Sequence, residues 1–177
     1  MYKPVLDPCC GSRKFYFNKD APFVLYGDIR DETYVQCDGR KLVVHPDVKL
    51  DVTKLDFRDE IFSLVVYDPP HLQWAGHDSF IRQAYGVLPR NEPMEYIVRG
   101  FNECWRVLRP EGTLIFKWNT CQIPIAELLK MLPEKPLFGN RRPTGHGGQQ
   151  SFWFVFFKFP KSRAYVSERQ EELDLRM

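Results

Sequence analysis

The chain has 177 residues, is 44% hydrophobic and 15% aromatic, and carries a formal net charge of +2. A chain of this size buries about 70% of the surface its unfolded form exposes, so one core is possible without disulfide or metal staples. It contains no run of about 18 apolar residues for a membrane helix and no apolar leader behind Met1-Tyr2-Lys3-Pro4, and its small net charge confines nucleic-acid binding to local patches.

Pro4-Val5-Leu6-Asp7 is a short apolar run that ends in an acid and runs into the turn-like Pro8-Cys9-Cys10-Gly11-Ser12. Phe23-Val24-Leu25-Tyr26 is a second such run, closed by Gly27-Asp28, and Lys49-Leu50-Asp51-Val52 is a weaker third. Phe62 to Tyr67 is a continuous β-branched and aromatic strand, stopped by Asp68-Pro69-Pro70, since two prolines cannot extend a ladder. From Met94 the period changes: Met94, Ile97, Val98, Phe101, Cys104, Trp105 and Leu108 fall on one face of a helix. Arg109-Pro110-Glu111-Gly112 breaks that helix, Thr113 to Trp118 reads as a strand, and Ile125 to Met131 reads as a helix that stops before Pro133. Arg141 to Gln150 is a Gly-rich polar loop, Ser151 to Phe159 is the most apolar strand, and Ser162 to Met177 is a charged tail, expected as a surface helix. There is no internal repeat, so residues 1–160 are expected to form one domain followed by the tail 161–177.

Strands of continuous apolar character alternating with helices imply a mostly parallel sheet covered on both faces, in which ligands bind beyond the carboxyl ends of the strands. Asp7, Asp28, Asp51 and Asp68 each stand where an apolar run ends, which places four carboxylates along one rim. Five irregularly spaced cysteines, Cys9 and Cys10 adjacent, suit neither a disulfide framework nor a zinc ribbon, and point to a reducing, cytoplasmic compartment. His71 and His77 lack the spacing of a metal site with these cysteines, so no metal is expected.

Three segments carry a resemblance. Asp7-Pro8-Cys9-Cys10-Gly11-Ser12 resembles the strand-one loop of class I S-adenosylmethionine-dependent methyltransferases. Asp68-Pro69-Pro70-His71 resembles the D-P-P-Y motif of the branch that methylates exocyclic amines of nucleobases. The stretch from Glu103 to Leu114 is similar to the helix, turn and strand that lead into strand five of that family. The resemblance spans roughly residues 3 to 159 and is strongest to the small stand-alone enzymes of phages and prophages. It implies a single Rossmann-like α/β domain with a seven-stranded sheet in the order 3-2-1-4-5-7-6, the last strand antiparallel. It also implies S-adenosylmethionine as cofactor and an exocyclic amine as methyl acceptor, adenine N6 in DNA before RNA. Cytosine N4, guanine N2 and a small-molecule amine are the alternatives within enzymes. A binding module that keeps the fold without the chemistry is the alternative outside them.

On this resemblance Asp7, Pro8, Cys9 and Gly11 cradle the cofactor, glycine permitting a close backbone approach. Asp28 accepts from both ribose hydroxyls and, as a rim acid, is expected to add little to stability, while Asp51 accepts from the adenine amine. A base amine is a poor nucleophile because its lone pair is delocalised. Asp68 and the Pro69 carbonyl, both accepting from its N–H groups, draw the nitrogen toward tetrahedral geometry. Pro70 fixes the turn, and His71 takes the position of the family's stacking ring. Substrate contacts are expected from Trp74, Arg82, Lys117, Trp118, Arg141 and Arg142, with His77, Tyr85 and Arg90 adding to a basic and aromatic mix. Two departures stand out. Arg13 replaces the last glycine of the loop, and the chain opens on strand one without the helix that closes over the methionine end, leaving Phe15, Tyr16 and Phe17 as a candidate lid. A C5-cytosine enzyme is excluded because its Pro-Cys nucleophile follows strand four, whereas Pro8-Cys9 follows strand one.

Overall fold

A computed structural model of the chain describes residues 2–36, 38–76, 79–140 and 150–160. In chain order the elements are β1 (Val5–Asp7), β2 (Val24–Asp28), β3 (Glu32–Val35), β4 (Lys41–Val44), β5 (Val48–Lys49), β6 (Phe62–Tyr67), α1 (Phe80–Tyr85), α2 (Pro93–Val107), β7 (Leu108–Asn119), α3 (Ile125–Met131), β8 (Phe138–Gly139) and β9 (Ser151–Phe157). Seven strands form one sheet in the order β5-β2-β1-β6-β7-β9-β8. Pairings are parallel from β5 through β7, and β9 runs antiparallel to both β7 and β8. Counting only the strands of this sheet, the order is the expected 3-2-1-4-5-7-6.

The main core lies on one face. The α2 stripe Ile97, Phe101, Cys104 and Val107 packs on Leu6, Val65, Tyr67, Leu114, Phe116 and Trp118, with Leu128 of α3 and Phe152, Phe154 and Phe156 of β9 in the same cluster. Alternation along β7 and β9 puts every second side chain there, as the strand period requires. Gly100 lets α2 approach β6: a Cβ at this position would lie 2.3 Å from the Tyr67 hydroxyl, which donates to the Ile97 carbonyl at 3.0 Å.

The opposite face departs from a strict strand–helix alternation. A loop, 8–23, joins β1 to β2, and the hairpin β3–β4 lies between β2 and β5. Aromatic side chains fill the space: Cys10, Val24 and Tyr26 form a small second cluster with Tyr16, Val5 and Ala21, and Tyr16 packs edge-on to Tyr26 at 4.9 Å. Two left-handed residues in the loop, Gly11 at φ +50° and Arg13 at φ +54°, are incompatible with a helix there. The break at Arg109-Pro110-Glu111-Gly112 is a distortion inside β7, with Glu111 at φ +62° and a register shift against β6. The tail from residue 161 and the loop 141–149 lie outside the described residues, as do Cys37, His77 and Asp78. Among the described residues no helix is long and apolar enough to cross a membrane, and no cluster of His, Cys, Asp and Glu is arranged to hold a metal.

Candidate functional site

β1 delivers Asp7 to the rim, but the loop that follows folds over it. Asp7 is fully buried; one oxygen accepts from the Cys9 amide at 3.2 Å and the other has no hydrogen bond. Burial, with the charges of Asp68 and Asp28 adding to it, pushes the carboxyl up to about 8, so it is protonated at neutral pH. It organises the loop and lines neither of the two cavities at the rim. The loop is tied down by Cys10 N–H donating to the Gly27 carbonyl at 2.8 Å and Gly11 N–H donating to Asp28 at 2.9 Å. Arg13, which stands in for a glycine, keeps the left-handed turn at a cost of about 1–2 kcal/mol. Its guanidinium offsets that cost by donating to the carbonyls of Lys19 and His45 and to Asp20 and Asp47, and it lies 3.9 Å from the centre of the Tyr26 ring.

β2 ends in Asp28, which lines a cavity of about 630 Å³ whose walls include Ile29, Leu50, Val52 and Tyr96. These walls suit an adenosyl group: apolar side chains for a purine beside a carboxylate for a ribose. The carboxylate, however, is already engaged. Its two oxygens accept from Gly11 N–H, Arg30 N–H, Arg30 Nε and Arg30 Nη2, all within 3.1 Å, while Arg30 Nη1 donates to the Gln83 carbonyl of α1 at 2.9 Å. A ribose reaching Asp28 therefore has to displace the Arg30 guanidinium. Asp28 is also a buried structural hub, contrary to the expectation of an inert rim acid. Burial pushes the neighbouring Cys9 thiol up, which keeps it un-ionised beside the cavity.

β6 ends at Tyr67, and the next residue, Asp68, lines both this cavity and a smaller one of about 210 Å³. The parallel register pairs Tyr67 with Phe116, so the next residues, Asp68 and Lys117, meet across the strands, with Nζ and Oδ2 2.6 Å apart. Burial raises the Asp68 carboxyl and the Lys117 charge opposes that rise. Oδ1 is left free of hydrogen bonds among the described residues. Pro69 lines the small cavity and Pro70 the large one.

The remaining sequence-derived positions divide. Pro8 lines the large cavity, Cys9 lines both, Gly11 lines the small one, Arg82 the large one and Lys117 the small one. Asp51 lines neither; its Oδ1 closes a local turn by accepting from the Thr53 amide and hydroxyl at 2.9 and 2.8 Å. His71 is buried with its ring 5.3 Å from Tyr85 and 6.4 Å from Trp118, and burial holds it down to about 4, so it is neutral. Trp118 is core, its Nε1 donating to the Ile123 carbonyl at 3.1 Å, and Trp74 is 66% exposed outside both cavities. Arg141 and Arg142 lie outside the described residues.

The aromatic face at the site belongs instead to Tyr85, the last residue of α1, which lines both cavities with His71 behind it. Tyr85 was legible only as one member of a basic and aromatic mix. Arg30 was missed altogether; its one signal is its place two residues beyond the acid that ends β2, where an arginine faces whatever that acid binds.

No family model and no curated protein matches the sequence. Solved structures do match in fold. The N-methyltransferase NodS from Bradyrhizobium japonicum WM9 aligns with a TM-score of 0.54 at 12% identity, over 88% of this chain and 85% of that one. The cyclase SpnF aligns with a TM-score of 0.53 at 12% identity, over 89% and 75% of the two chains. A protein from Pyrococcus horikoshii OT3 aligns with a TM-score of 0.50 at 16% identity, over 90% and 83%. The chain has the Rossmann-like fold shared by these structures.

Proposed function

We propose that the chain is an S-adenosylmethionine-dependent methyltransferase acting on an exocyclic amine of a nucleobase, with adenine N6 in DNA the favoured acceptor. The observation that carries this reading is Asp68, which stands on the wall shared by the two cavities with Oδ1 free and Lys117 on Oδ2. The large cavity has the volume and the apolar flanks for the adenosyl group, and Cys9, Asp28 and Leu50 are the residues that would hold it. The cofactor supplies a methyl carbon on a positively charged sulfur. Asp68 accepts a hydrogen bond from the amine, strengthens it as positive charge develops on nitrogen, and takes the released proton. Lys117 opposes the effect of burial and so favours the ionised form of Asp68 that this role needs. Tyr85 offers a ring face to the base, and His71 holds Tyr85 in place.

A second reading, a binding module without methyl transfer, is favoured by the Arg30 guanidinium that occupies Asp28, and a cyclase on this same fold illustrates that the fold does not dictate the reaction. Calorimetry with S-adenosylmethionine and S-adenosylhomocysteine separates the two. The enzyme binds both, and absence of either titration signal overturns the methyltransferase reading. Mass spectrometry of nucleosides from cells with and without the protein then identifies the methylated base.

A further inference from the structure

Three cations line the small cavity: Lys14, Arg30 and Lys117. Two of them are neutralised, Arg30 by Asp28 at 3.0 Å and Lys117 by Asp68 at 2.6 Å. Lys14 has no carboxylate within ion-pair distance among the described residues. Its Nζ is held over two rings instead, 4.6 Å from the centre of Phe80 and 4.8 Å from that of Tyr85. The ammonium is partly desolvated there and faces the charges of Lys19 and Lys117, which lower its proton affinity and would be relieved by an anion. The position is also prepared: the preceding residue, Arg13, is locked in its left-handed conformation by side-chain bonds that reach residues 45 and 47. The mouth of the small cavity thus combines one surplus positive charge with the face of Tyr85, the pairing of charge and ring that suits a phosphate attached to a base.

We infer that Lys14 binds the phosphate of the nucleotide whose base lies against Tyr85, so the substrate is a phosphorylated nucleotide rather than a nucleoside or an uncharged amine. The inference rests on the proposed methyltransferase reading for the role of the base. The phosphate can come from a free nucleotide or from a strand, and the test has an arm for each. Adenosine, AMP and a single-stranded oligodeoxynucleotide are titrated into wild type, Lys14→Gln and Lys14→Arg, each with and without S-adenosylhomocysteine. Wild type is expected to bind AMP or the oligonucleotide about tenfold or more tighter than adenosine. Lys14→Gln removes that preference, bringing the affinities for AMP and the oligonucleotide to that for adenosine, while Lys14→Arg retains it. For the strand, Lys14→Gln also makes the log–log salt slope shallower by about 0.7, the value for one phosphate contact. A preference for AMP assigns a free nucleotide, and a preference for the oligonucleotide alone assigns a strand. Equal affinity of wild type for adenosine, AMP and the oligonucleotide, or a preference that survives Lys14→Gln, overturns the inference. Failure of wild type to bind S-adenosylhomocysteine overturns the methyltransferase reading instead, and the titrations without it still decide the phosphate site.

Discussion

Asp68 and Lys117 form a pair whose two members do different work. Asp68→Asn keeps the size and an acceptor but removes the charge that the developing ammonium needs, so single-turnover methyl transfer at saturating cofactor and substrate is expected to slow by roughly 10²-fold or more. S-adenosylhomocysteine affinity should hold; wild-type rates in this variant would mean that the Asp-Pro-Pro-His segment is only a turn. Lys117→Met removes the cation that opposes burial, so the Asp68 carboxyl rises further. Since the ionised form is the active one, the acid limb of the pH–rate profile should move to higher pH. An unmoved limb would assign it to another group. Asp28→Ala is expected to weaken cofactor binding by about 1–3 kcal/mol. It should also lower stability measurably in urea, because it strands Gly11 N–H and the Arg30 guanidinium together.

Among the elements, α2 and β6 are held at a spacing that only a residue without a side chain allows. Gly100→Ala places a methyl 2.3 Å from the Tyr67 hydroxyl, and the clash outweighs the helix-propensity gain of about 1 kcal/mol. Tyr67→Phe alone loses the bond to Ile97, worth about 1 kcal/mol. In the double variant that hydroxyl is gone, so its urea-unfolding cost should be smaller than the sum of the single costs. Additive costs would show that α2 shifts to admit the methyl. The loop 8–23 obeys a different logic. It is held by aromatic packing and the Arg13 bonds, and the sequence hinted at this only in the run Phe15-Tyr16-Phe17.

For the whole molecule, two buried groups contribute to the pH dependence of stability with opposite signs. Asp7 is raised from 3.8 to about 8 in the folded state, so its contribution is fully present below about 4 and is lost as pH rises through about 8. His71 is lowered from 6.5 to about 4, so its contribution is present above about 6.5 and is lost as pH falls through about 4. The two slopes oppose each other between about 4 and 6.5, and above that range only the Asp7 slope of the two remains. Thermal melts should therefore show stability falling from about pH 6.5 to 8. Asp7→Asn should flatten that fall and be the more stable protein at pH 8 by on the order of a few kcal/mol. A decline that persists in Asp7→Asn would place its origin elsewhere.

Local sequence pattern accounts for the central strands, the long helix and the acids at the rim, while the sheet order was implied by the resemblance to class I methyltransferases. Apolar runs, the three-to-four-residue spacing of Met94 to Leu108, and acids at strand ends all record which side of a local element meets the core, and that information is contained in neighbouring residues. Which rim residues face a cavity depends on how distant segments pack. Asp7 is covered by its own loop, Asp51 bonds Thr53, Trp118 turns into the core and His71 stands behind Tyr85. The partners that define the site are remote along the chain: Asp68 meets Lys117 and Arg30 meets Gln83, through contacts 49 and 53 residues apart. A side chain's exposure depends on which distant segment folds over it, and periodicity and spacing carry no record of that.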